Sequence, residues 1–185
     1  MMLKNLRIAL VLLVICGIVY PLLMTGIAQA VMPAKADGSL IEKDGKVIGS
    51  ELIGQTFKDP SYFTGRISSI ENNAAGSGSG NYAPSNEEMI ERTKKDIAAF
   101  LKANPDVKKS DIPADLLTNS GSGLDPHISP MAAEIQIPRI SKLRNLDENE
   151  LKEMVKKHTE GRQFGLFGEP RVNVLELNME LSKEK

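Results

Sequence analysis

The side chains from which a site could be built are Asp125, His127, His158, Glu160 and Glu169. Two histidines with carboxylates can hold zinc, and a histidine beside an acid can act as a general base. Asp125 and His127 lie two residues apart at the end of Ser120-Gly121-Ser122-Gly123-Leu124-Asp125-Pro126-His127. His158 and Glu160 are spaced alike in His158-Thr159-Glu160-Gly161-Arg162. Neither spacing matches H-E-x-x-H or a paired Cys/His set. No G-x-S-x-G elbow surrounds Ser120 or Ser122. Asp125-Pro126 reads equally well as turn chemistry ahead of a helix, with His127 packed or capping. The residues therefore predict neither a catalytic centre nor a metal site. An anchored extracytoplasmic metal-binding protein or hydrolase using Asp125, His127, His158 and Glu160 is the alternative.

Those residues hang from a membrane stretch. Ile8 to Val31 is a run of 24 residues without a charged side chain. As a helix it spans ~36 Å at ~1.5 Å per residue, enough for a ~30 Å hydrocarbon core. Lipid offers no backbone hydrogen-bond partner, so a lone span must be helical. Lys4 and Arg7 precede it without an acid, whereas Lys35 is followed by Asp37, Glu42 and Asp44. The positive-inside rule then puts residues 1–7 in the cytoplasm, the helix at 8–31 and a soluble domain at 32–185 outside. A cleaved signal peptide competes, since Ala28-Gln29-Ala30 has the form of a cleavage site, but the apolar run is longer than a usual h-region. Pro21 should kink the span, and Gly17, Thr25 and Gly26 would let another helix approach closely.

Residues 32–185 hold 21 basic and 24 acidic side chains, a net charge of −3, which argues against a nucleic-acid partner. The single cysteine, Cys16, lies in the span, so the domain has no disulfide and cannot use it as a nucleophile.

The domain reads as α+β. Lys43-Asp44-Gly45 predicts a hairpin turn between Ser39–Glu42 and Lys46–Gly49. Phe57 to Arg66 concentrates three of the eight aromatics around Pro60, a loop anchored by Tyr62 and Phe63. The Gly/Ser loop at 74–84 lacks a following G-K-[S/T] and is no phosphate cradle. Ser85 with Glu88 predicts a capped helix through Ile90, Ile97 and Leu101, stopped by Pro105. Ser129-Pro130 should start another helix running toward Arg144, kinked or shortened at Pro138. Asp147 with Glu150 predicts a third, burying Leu151, Met154 and Val155 and closing at Gly161. The alternation Leu175, Leu177, Met179, Leu181 predicts a half-buried strand over Arg171–Leu181.

Several stretches resemble one family. Tyr20 to Gly26, Phe57 to Arg66, Pro84 to Asn86, Ser120 to Ser129, His158 to Arg162 and Gly168 to Val174 are similar, in order, to the motifs of the KdpC family. That family is the small C subunit of bacterial high-affinity potassium-transporting ATPases. The resemblance runs from about residue 6 to residue 181, although Ile67 stands where the family has proline. It implies a single-pass accessory subunit of the plasma membrane without a catalytic centre. The implied partners are a channel-like potassium-translocating subunit, a P-type ATPase subunit, a small membrane peptide and the bilayer. It also implies a catalytic chaperone that raises the ATPase subunit's affinity for ATP. Ser120, Gly121, Ser122, Gly123, Asp125 and His127 would then be a partner or nucleotide-contact loop. His158, Glu160, Arg162, Glu169 and Arg171 would be partner contacts. An exported domain cannot touch cytoplasmic ATP, so that effect would have to cross the membrane as a coupling free energy.

Overall fold

The computed structural model describes residues 2–184. The chain divides into two compact units that meet between Ser50 and Glu51.

The first unit begins with helix α1, Met2–Val31, none of whose span-forming window is buried. Pro21 leaves its mark one turn earlier. With no N–H to donate and a ring that crowds the preceding turn, it is preceded by a π turn at Ile15–Val19, where the Tyr20 N–H reaches back to the Ile15 carbonyl. A short helix α2, Pro33–Ala36, follows. Strands β1, Leu40–Lys43, and β2, Lys46–Ser50, then pair antiparallel. Asp44 and Gly45 both take positive φ, +52° and +72°, the backbone of a tight two-residue hairpin. Ser50 Oγ donates to the Gly38 carbonyl at 2.7 Å.

The second unit carries the core. Helix α3, Glu87–Ala103, is capped by Asn86, whose side chain accepts from the Met89 N–H at 2.8 Å. The cap is thus one residue later than the Ser85 box predicts. Ser129 caps α4, Pro130–Glu134, as expected. Pro138 ends that run and opens a new helix, α5, Ile137–Arg144, in whose first turn its missing donor costs nothing. Asp147 caps α6, Glu148–Lys157, which buries Leu151 and Val155. His158, not Gly161, closes α6, because Thr159 turns at once into a strand.

The predicted C-terminal strand is corrected. Only Arg171–Asn173 is extended, and Val174–Leu181 is a helix, α7. Val174, Leu175, Leu177, Asn178 and Leu181 are its buried residues, a helical spacing hidden inside the alternation. Asn173 caps it by accepting from the Leu175 and Glu176 N–H groups. Short strands β3, His127–Ile128, β4, Thr159–Glu160, and β5, Arg171–Asn173, form an antiparallel sheet ordered β3-β5-β4. Phe63, Ile137, Ile140, Leu151, Leu177 and Leu181 are fully buried at its centre. Each such side chain contributes about 1.5–3 kcal/mol by leaving water.

Candidate functional site

The stretch Phe57 to Arg66 runs into this core without joining any named strand or helix. Buried backbone groups need partners, and here side chains from α5, α7 and the turn before α5 supply them. Asn178 of α7 accepts from the Phe63 N–H and donates to the Phe63 carbonyl, both at 2.9 Å. Gln136, fully buried, treats Thr64 the same way: Oε1 accepts from its N–H at 2.8 Å, and Nε2 donates to its carbonyl at 3.1 Å. Arg139 of α5 donates to the carbonyls of Pro60 and Tyr62, to Asn104 Oδ1 and to Gln136 Oε1. Burial pulls its guanidinium pKa down. Arg144 donates to the Ser61 carbonyl at 3.0 Å and stacks 4.5 Å over the Tyr62 ring. The whole segment is a strap held by four side chains, three from α5 and α7 and Gln136 from the turn that leads into α5.

The strap ends at Arg66, which delivers a guanidinium to the polar loop. Arg66 Nη1 donates to Asp125 Oδ2 at 2.8 Å, and Nη2 to the Asn119 carbonyl at 3.1 Å. Asp125 Oδ1 accepts from the His127 N–H at 3.0 Å and lies 3.4 Å from His127 Nδ1. Burial pushes the Asp125 carboxyl up, but the bonds from His127 and Arg66 outweigh it and hold it at about 2. Arg92 of α3 reaches Asn119 Oδ1, and Asn119 Nδ2 reaches Ser69 Oγ.

The rest of the loop is bound into the fold through its backbone. Ser120 is 2% exposed. The Ser122 carbonyl accepts from the Gly78 N–H at 2.7 Å, and the Gly123 carbonyl accepts from Ser68 Oγ at 2.6 Å. The Leu124 carbonyl accepts from the Gly54 N–H at 2.7 Å. A Cβ at Gly54 would stand 2.8 Å from the Asp125 carbonyl oxygen, so only glycine fits this crossing. At Gly123, φ is +71° and a Cβ would come within 2.9 Å of the Gly78 carbonyl oxygen. The cluster can hold charge in place. An open cleft of roughly 250 Å³ beside it is lined by Thr56, Phe57, Arg66, Ser68 and Asn72 among others.

The other predicted residues gather elsewhere. β5 separates His127 on β3 from Glu160 on β4, with His127 opposite Asn173 and Glu160 opposite Arg171. Two strand spacings amount to about 10 Å, too far for both to hold one ion. Glu160 is taken by Arg171 at 2.5 Å, and Arg162 grips both oxygens of Glu169 at 2.8 and 2.7 Å. His158 Nε2 is buried without a hydrogen-bond partner. Among the described residues, no three His, Cys, Asp or Glu are placed to hold a metal ion. Gly17, Pro21, Thr25 and Gly26 lie on α1, where a Cβ at either glycine would meet nothing within 4 Å. Sequence reasoning gave no site role to Gln136, in the turn before α5, or to Arg139 and Asn178, polar residues buried on α5 and α7. It also passed over Phe164, Leu166 and Phe167 in a glycine-bounded loop.

A family model described as the K+-transporting ATPase c chain, KdpC, matches residues 2–183. The chain belongs to the KdpC family. Relatives described as potassium-transporting ATPase KdpC subunits agree along nearly their whole length. Those of Bacillus cereus and Bacillus anthracis are 58% identical over 178 residues, and that of Bacillus thuringiensis subsp. konkukian is 59% identical over the same length. In each case the match covers 96% of this chain and 92% of the relative. KdpC membership makes the chain one subunit of a potassium-transporting ATPase, which implies the complex's other subunits. The Arg66–Asp125 cluster and the strap both fall within the matched residues.

Proposed function

We propose that this chain is a non-catalytic accessory subunit, anchored by α1 in the bacterial plasma membrane with its N-terminus in the cytoplasm and the rest outside. There it joins the channel-like potassium-translocating subunit, the P-type ATPase subunit and a small membrane peptide into one working complex. The observation that carries this is the family match across residues 2–183, which takes in the apolar helix together with the folded unit.

The chain raises the ATPase subunit's affinity for ATP without touching the nucleotide. Its contribution is a coupling free energy transmitted through α1 and its neighbours, in which the two states of the pump bind this subunit unequally. What supports this over direct contact is charge placement: Lys4 and Arg7 precede the span, and the positive-inside rule favours that end in the cytoplasm. The Ser120–His127 loop then serves to fix Arg66 and Asp125 on the outer face, rather than to cradle phosphate.

Labelling of a single cysteine tests this. Cys16→Ser removes the native thiol, and Ser110→Cys puts one on an exposed turn of the second unit. With a membrane-impermeant maleimide on intact cells, labelling at full-length mass is the expected result. Labelling only after lysis would put the unit inside and overturn transmembrane coupling in favour of direct nucleotide contact.

A further inference from the structure

The hairpin between β4 and β5 ends in a tip that neither the strap nor the polar loop accounts for. Phe164 is 93% exposed, Leu166 73% and Phe167 66%. No charged residue lies between Arg162 and Glu169. Single exposed apolar side chains are ordinary, but three large ones on one turn mark an interaction site.

The tip has a fixed shape. Gln163 and Phe167 exchange both backbone bonds, N–H to carbonyl, at 2.8 and 3.0 Å. Within them the Gly165 N–H donates to the Arg162 carbonyl and the Leu166 N–H to the Gln163 carbonyl, each at 3.1 Å. Phe164 is held at φ +52°, a conformation a bulky aromatic rarely adopts, followed by Gly165 at +73°. Below the tip, Arg162–Glu169 and Glu160–Arg171 clamp the two arms. A lipid-binding tip gains from unpaired cations facing anionic headgroups. Here each stem cation is matched by a stem carboxylate. A neutral, pre-shaped aromatic turn with paired charges around its base instead has the make-up of a protein interface anchor, an apolar centre inside a polar rim.

We propose that Phe164, Leu166 and Phe167 insert into an uncharged apolar pocket on another protein subunit of the potassium-transporting assembly. This rests on the accessory-subunit reading above.

The test uses the full-length chain co-expressed with the other subunits. A benzophenone side chain installed in place of Leu166 should, on irradiation, give a covalent adduct with one protein subunit. A Phe164→Ser, Phe167→Ser double variant, which alters only exposed side chains, should be retained in the purified complex at least about tenfold more weakly. Adducts confined to phospholipid, or full retention of the double variant, would overturn the tip's role and leave the subunit reading intact. Failure of the unaltered chain to co-purify with the ATPase subunit would overturn both.

Discussion

Several buried side chains here hold backbone in place. Asn178 is the clearest case, since it satisfies both main-chain groups of buried Phe63. Asn178→Ala would leave a donor and an acceptor unpaired in the core, at a cost of about 3 kcal/mol. Urea unfolding of the full chain in detergent should show that loss, and a change below about 1 kcal/mol would refute the bracing role. Asp125 acts through charge. Its carboxyl is held at about 2, below the ~3.9 of an unfolded chain. A depressed carboxylate stabilises the fold above the unfolded value and loses that contribution as pH falls from about 4 through 2. The carboxylate is 30% exposed, so solvent screening leaves about 1 kcal/mol. Asp125→Asn should therefore unfold about 1 kcal/mol more easily at neutral pH, with the difference vanishing below pH 2. A gap unchanged by acid would rule this out. Asp125 and His127 could be singled out as neighbours in the chain, but Arg66 as the partner of Asp125 could not, because the two are 59 positions apart.

At the scale of elements, local signals worked where the cap residue itself was diagnostic. Ser129, Asp147 and the Asp44-Gly45 turn sit where their side-chain and backbone chemistry requires. They failed where two periods fit one segment. Arg171 to Leu181 alternates well enough for a strand, yet Asn173 with Glu176 three residues later is also a helix start. Packing decided, because only the helix turns Asn178 and Leu177 together onto the core. Asn173→Ala should cost about 1–2 kcal/mol and speed amide exchange at Leu175 and Glu176. Asn173→Ser should restore most of that protection. Exchange unaffected by the alanine would mean that the cap does not hold this helix. The same competition moved the α3 cap from Ser85 to Asn86, where one residue decides which hydroxyl or amide meets the Met89 N–H.

For the whole molecule, the family and a long apolar helix fit to cross a membrane were written in the chain. An uncharged run of 24 residues has only one stable conformation in lipid, and long matching motifs identify a lineage directly. The α+β class followed from strand signals at both ends of the domain with helix signals between them, although at the C-terminal end only Arg171–Asn173 is a strand. Tertiary structure alone decided how those parts are tied. The strap from Phe57 to Arg66 carries no helical or strand period, so its course depends on Gln136, Arg139, Arg144 and Asn178 arriving from distant parts of the chain. The separation of His127 from Glu160 by β5, and the apolar tip beyond it, likewise depend on pairing across long stretches of chain. Local sequence determines which conformation each segment prefers. Contacts between remote residues, which no periodicity encodes, determine what those segments bring together.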